Sequence, residues 1–305
     1  CESEWPELQL NGFLEKITES LEEVSEQGVL PSAIIGAHFT FIVKASLGWS
    51  VQIKNALSLP KNKQSATSFI VSYLHWGKPT ISIFKHNDWI LTHALKGANS
   101  TQKTLLVIER QALAAQQLCK FFIQGHIQDN DDMFKKLPQQ LNRQQFSDLF
   151  LALAFAIGNT EPLDEPLLTN SMRLWELLKN LATEQRFEEE FAFSDAFSNW
   201  LAIESLPEEW RLETFTEIIS TGDVNFKDLY GTLASLKTLS RSHPRECLSL
   251  VFALLLKLRQ RYDLAWSVHV IYEMLEGLPE QPNDPLGEMR NEVESQLARI
   301  GYSRS

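Results

Sequence analysis

Apolar residues recur every three or four positions between residues 13 and 28, at Phe13, Ile17, Leu21 and Val24, with carboxylates filling the opposite side and Gly28 closing the run. This spacing predicts an amphipathic helix. The pattern then changes. Trp49, Val51 and Ile53 alternate with Ser50, Gln52 and Lys54, Ile81 and Ile83 alternate with Thr80 and Ser82, and Phe39, Phe41 and Val43 repeat the alternation. A period of two is that of a strand lying on a sheet with one covered face. Breakers at Gly77-Lys78-Pro79 and His86-Asn87-Asp88 fall at hairpin-like intervals. Together they predict a small antiparallel sheet between residues 33 and 95. Short helices are the competing reading, because residues 69–76 and 88–95 can each be wound with one apolar face.

Helical spacing resumes after the cluster Gly97-Ala98-Asn99-Ser100. The chain is therefore expected to divide into an N-terminal module, residues 1–98, and a helical domain, residues 99–305. Residues 144–158 and 248–258 are apolar nearly all round, so helices there need cover on several sides.

The C-terminal half carries an internal period. Pro166, Pro207, Pro244 and Pro282 lie 41, 37 and 38 residues apart, each near an expected helix start, where proline's missing N–H costs nothing. Eight, eleven and twelve residues beyond the first three stand Leu174, Leu177 and Leu178, then Phe215, Ile218 and Ile219, then Phe252, Leu255 and Leu256. The fourth unit keeps Val293 but has Arg290 and Glu294 at the flanking places, as a polar terminal cap would. Second helices fill the intervals, with Leu229, Leu233 and Leu236 in one and Trp266, Val270 and Met274 in another. Over residues 162–300 the period resembles helix-pair repeats of the HEAT or tetratricopeptide kind, without the Trp-Leu-Gly-Tyr signature of the latter. The resemblance implies stacked helix pairs and a role in binding. The expected fold is thus α+β and predominantly α.

Composition sets the outer bounds. With 305 residues, 44% of them apolar, the chain can bury one large core or two ordinary ones. The longest apolar stretch, Leu30 to Ile53, is interrupted by His38, Lys44 and several hydroxyl residues and falls short of a membrane-spanning helix. Cys1, Cys119 and Cys247 form no CxxC pair, which points away from disulfide frameworks and thiolate zinc sites and toward a reducing, cytoplasmic setting. The sequence starts at Cys1 without an initiator methionine. A trimmed product is the principal expectation, and a lipid anchor through Cys1 the alternative.

The net charge of −11 is unevenly spread. Residues 1–35 hold eight carboxylates against Lys16 alone, whereas residues 36–128 hold nine lysines and Arg110 against Asp88 and Glu109. The basic stretch also contains Trp49, Trp76 and Trp89. Cations such as Lys44, Lys54, Lys61, Lys63, Lys78 and Lys85 beside aromatic rings are the residue types that grip phosphates and stack on bases. The acidic remainder of the chain repels nucleic acid, so that partner is possible without being favoured.

Local catalytic signatures are missing. The sequence contains no HExxH, no ExxH pair, no GxSxG and no GxGxxG. Around Lys78 the string WGKPT has Ser72 where a phosphate loop needs its first glycine, and Pro79 removes a required N–H. Asp129, Asp131 and Asp132 do not complete a DDxxD motif, since position 135 is lysine, and Glu188–Glu190 is explained by a solvated helix face. Two weak clusters are left. His86, Asp88 and His93, with His75, have the types for an acid–base or metal site. His243 and Cys247, four apart at a helix start, have the spacing for a thiolate–imidazole dyad. The leading expectation is a noncovalent protein-interaction or scaffold module without cofactor or metal, its partner another protein. Polyanion binding through residues 36–128, which would also suit an acidic protein surface, and an enzyme site near residues 75–93 are the alternatives.

Overall fold

The computed structural model describes residues 12, 16, 29–45, 47–58, 63–95, 105–129, 131, 134, 141–159, 163–184, 193–221, 226, 228–258, 262–278 and 285–302. The amphipathic segment 13–28, Pro282 and the Glu188–Glu190 run lie outside the described residues, apart from Lys16. The chain forms two compact units. Unit 1 comprises residues 1–149 with 172–181, and unit 2 residues 150–171 with 182–305.

Unit 1 contains α1 (Val29–Ala45), α2 (Leu47–Leu57), α3 (Lys63–Trp76), α4 (Ile81–His86), α5 (Trp89–Leu95) and α6 (Leu105–Ile123). The predicted sheet is thereby corrected: among the described residues there is no strand, and the stretch 33–95 is a succession of helices. The middle member of each alternating triplet shows why. Phe39 and Val43 are buried while Phe41 is exposed, and Trp49 and Ile53 are buried while Val51 is exposed. The inward residues are four apart, which is one helical turn, and the apparent period of two arises from an additional apolar residue on the outer side.

The centre of unit 1 is the crossing of α1 with α3. Ser32, Gly36 and Thr40 follow one another at four-residue intervals on α1 and all are buried. A side chain at Gly36 would place its Cβ 2.2 Å from the Phe69 carbonyl oxygen of α3, so only glycine permits this approach. The Thr40 hydroxyl donates to the Gly77 carbonyl oxygen. Gly77 in turn closes α3 by donating its N–H to the Tyr73 oxygen at 2.9 Å, and Lys78 turns the chain away with a left-handed φ of 48°. Around this crossing Phe39 sits edge-on to Phe69 and Tyr73, with centroids 5.1 and 5.2 Å away, and Phe69 stacks on Trp89 at 5.9 Å. Burial holds the Tyr73 phenol well above its ordinary pKa, with Thr40 and the Thr80 main chain opposing weakly. On α6, the buried Arg110 donates to Thr67 Oγ1 at 3.2 Å. The helix α7 (Arg143–Gly158) begins with a reciprocal cap, in which the Asn142 side chain accepts from the Gln145 N–H and the Gln145 side chain from the Asn142 N–H, both at 2.9 Å. It is followed by α8 (Glu165–Glu184).

Unit 2 contains α9 (Phe193–Leu201), α10 (Glu208–Thr221), α11 (Leu229–Leu239), α12 (Pro244–Lys257), α13 (Tyr262–Glu276) and α14 (Pro285–Arg299). Helices two apart in the chain pack together: α9 with α11 and α11 with α13, α10 with α12 and α12 with α14. Helices α9 and α10, and α11 and α12, join these two ranks. The register is tied to the capping residue. The Pro207 carbonyl receives the Arg211 N–H at 3.0 Å, and the His243 carbonyl receives the Cys247 N–H at 3.1 Å. Counted from these caps, the buried positions are 4, 5, 7, 8, 11 and 12 in both helices: Arg211, Leu212, Thr214, Phe215, Ile218 and Ile219, then Cys247, Leu248, Leu250, Val251, Leu254 and Leu255.

Counting from the prolines gives a different answer, because Pro207 is itself the cap whereas Pro244 is the first helical residue. The one-residue difference turns Phe252 to a half-buried position and Leu256 to solvent, where the proline count expects both inside. Residues 35 apart correspond in α11 and α13, with Leu229, Leu236 and Leu239 buried like Leu264, Ile271 and Met274. Trp266, expected inward, is 83% exposed. In α14 the polar positions flanking buried Val293 pair with each other, Arg290 Nε lying 3.4 Å from Glu294 Oε1.

Candidate functional surfaces

On the outer side of α11 and α13, Tyr230 and His269 approach with ring centroids 5.9 Å apart, and Lys237 reaches Glu273 at 2.5 Å. Tyr230 and Trp266 are among the most exposed aromatic side chains of the described residues. The Lys237 hydrogen bond and charge, with a smaller contribution from His269, draw the Glu273 carboxyl below the usual carboxylate range. The helices are held from behind. Asp228 caps α11 by accepting the Gly231 N–H at 2.8 Å, and Leu233 and Leu236 on α11 and Val270, Ile271 and Met274 on α13 are buried. This surface belongs to a unit with 24 Asp and Glu against 12 Lys and Arg.

In unit 1 the aromatic residues of the basic stretch part company. Trp49 is buried, Trp89 is half-buried with its Nε1 3.3 Å from Asn87 Oδ1, and Trp76 is 72% exposed. Lys44, Lys54 and Lys78 are exposed; Lys61 lies outside the described residues, as do the side chains of Lys63 and Lys85. Thus Trp76 offers its ring to solvent, with His75 beside it at 5.8 Å between ring centroids and Lys78 two residues on. His75 is engaged by Glu109, Nε2 to Oε1 2.9 Å.

Of the proposed acid–base residues, His86 directs Nδ1 to the Ser82 carbonyl at 2.8 Å, Asp88 is exposed, and His93 is half-buried on α5. Among the described residues no three His, Cys, Asp or Glu side chains gather as metal ligands.

The dyad spacing is met by a different arrangement. His243 Nε2 lies 3.2 Å from Glu208 Oε2, and Cys247 is a buried free thiol. Burial foremost, then the Glu246 and Glu208 charges, pushes Cys247 up to about 12, the opposite of an activated thiolate. Nearby Arg211 is buried and donates to the Leu201 carbonyl at 2.8 Å, binding the end of α9 to α10; burial lowers its pKa against the pull of Glu208 and Glu204. Sequence periodicity offered a correct phase for α13 through Leu264, Ile271, Leu275 and Leu278, which would have placed Trp266 outside. No signal of that kind marks Arg211.

Among the described residues no helix is long and apolar enough to cross a membrane. No protein-family model matches the chain, and comparison with curated proteins and with solved structures finds no match either.

Proposed function

We propose that the protein is a noncovalent protein-interaction or scaffold module that uses the outer side of α11 and α13, and that it works in the cytoplasm without metal or cofactor. The observation that carries this reading is Trp266, 83% exposed near the N-terminal end of α13, a helix otherwise anchored by buried aliphatic residues. Leaving an indole in water forgoes the gain from burying a large apolar surface, and tryptophan and tyrosine are the side chains that most often dominate binding energy at interfaces. The alternating contacts of α9 to α14 support a continuous surface of the kind helix-pair arrays present. The excess of carboxylates in unit 2 favours a basic partner by electrostatic steering.

Affinity enrichment followed by measurement with the purified partner tests this. Trp266→Ala, which touches no core contact, is expected to weaken binding by about 30-fold or more while leaving the helical circular dichroism intact, the scale of an interface hot spot. Equal binding by wild type, Trp266→Ala and Tyr230→Ala would remove the surface from consideration.

A second reading rests on Trp76. Its exposed ring beside Lys78 fits stacking on a single-stranded nucleic acid. Fluorescence anisotropy with a labelled oligothymidine at 50 mM and 200 mM salt separates the two, since polyanion binding falls steeply with salt and requires Trp76.

A further inference from the structure

Helix α10 ends without a cation of its own. Its first turn carries Glu208 and Glu209 and its last turn holds no basic residue, although the closing carbonyls of a helix lack intrahelical donors and carry partial negative charge. The cation comes from the next helix pair. Lys257, in the last turn of α12, donates from Nζ to the Ile219 carbonyl oxygen at 2.5 Å and to that of Ser220 at 3.1 Å. These contacts span 38 and 37 residues, about one period of the array. At the opposite ends of the same two helices His243 meets Glu208 at 3.2 Å, so polar contacts bracket the apolar packing of α10 on α12.

The ends that Lys257 joins are also the points from which the next helices set out. The chain leaves α10 at Thr221 and enters α11 at Leu229, and it leaves α12 at Lys257 and enters α13 at Tyr262. Tyr230 is the second residue of α11 and Trp266 the fifth of α13. From Lys257 to Tyr262 the extended chain reaches at most about 18 Å, so the end of α12 limits where α13 begins. We propose that Lys257 is a positioning residue for the surface of α11 and α13: by tying the end of α12 to that of α10, it holds the origins of the two helices at one separation and thereby sets the spacing of Tyr230 from His269 and Trp266. Its charge is the operative property, since the two carbonyl oxygens take their donor from the ammonium. The inference rests on reading that surface as a binding site.

The role is read in the free full-length protein, which keeps its outcome separate from partner binding. Lys257→Met retains the aliphatic stem and removes the charge. Nuclear Overhauser contacts between the rings of Tyr230 and His269, whose centroids lie 5.9 Å apart, are expected to lose most of their intensity in this variant. Amides of residues 218–221 are expected to exchange about fivefold faster or more, while those of residues 247–251 in the middle of α12 keep their protection. Lys257→Arg, which restores a cationic donor, should retain both properties, and Lys257→Gln gives a second neutral variant should Lys257→Met fold poorly. Unchanged ring contacts in the neutral variants, faster exchange spread evenly over unit 2, or a loss in Lys257→Arg as large as in Lys257→Met overturns the proposal. Equal partner binding by Trp266→Ala would remove the surface's role and leave these readings as they are, so the two failures are distinguishable.

Discussion

An added Cβ at Gly36 would meet main-chain oxygen at only 2.2 Å. The glycine's missing Cβ is what lets α1 lie against the Phe69 carbonyl, and that carbonyl belongs to helix backbone, which cannot swing aside as a side-chain tip would. Gly36→Ala is expected to cost about 3 kcal/mol, at the upper end of overpacking penalties. Gly158→Ala, where the nearest atom would be Ile203 Cγ1 at 3.9 Å, should be neutral or slightly stabilising. Urea denaturation of the two variants side by side checks the contrast, and equal midpoints would contradict the close crossing. Cys247 offers a test by pH. Its thiol is held protonated in the folded chain up to about 12, above the ordinary value of 9.0, so its contribution is fully present below about pH 9 and declines as pH rises toward 12. The alkaline loss of stability should be shallower in Cys247→Ala, after allowance for its lower overall stability. Modification of Cys247 by a thiol reagent at pH 7.5 should occur only on unfolding, and rapid modification of the native protein would contradict the burial.

The helix is the scale at which the sequence was partly legible. Burial of Phe215, Ile218 and Leu255 agrees with the spacing of apolar residues, and so does that of Leu229, Leu233 and Leu236. Two kinds of information were hidden. In α1 and α2, additional apolar residues at Phe41 and Val51 imitated strand alternation, and β-branched neighbours reinforced the imitation; only their exposure reveals the helical period. In α12, Pro244 looks equivalent to Pro207 in the sequence, although one is inside the helix and the other caps it. Polar residues concealed the rest: Ser32 and Thr40 belong to the buried crossing, and Arg211 closes the end of α9. The corrected register predicts that Leu254→Ala, at a fully buried site, costs about 3 kcal/mol, within the range for a buried leucine, and Phe252→Ala no more than about half as much. Chemical denaturation of both variants decides, and a greater loss at Phe252 would restore the proline-based count.

Across the whole molecule, charge follows the division into units. Unit 1 has 16 Lys and Arg against 15 Asp and Glu, whereas unit 2 carries twice as many carboxylates as cations. Acidic surfaces can attract a basic partner from a distance, but the local side chains determine whether it stays. For this reason Trp266 and Tyr230, and not the carboxylate excess, are the sites at which the interaction proposal stands or falls. The matched burial in α10 and α12 also bears on how the chain tolerates editing. From Pro207 to Ser242 is one complete period of 36 residues, beginning on a cap and ending just before the next cap. Inserting a second copy of residues 207–242 ahead of His243 should lengthen the protein by one helix pair, raising helical ellipticity in proportion while keeping a cooperative melt. A copy cut one residue later would begin without its capping proline and put His243 at the wrong end. Loss of folding in that variant alone would identify the cap as the point at which this chain can be spliced.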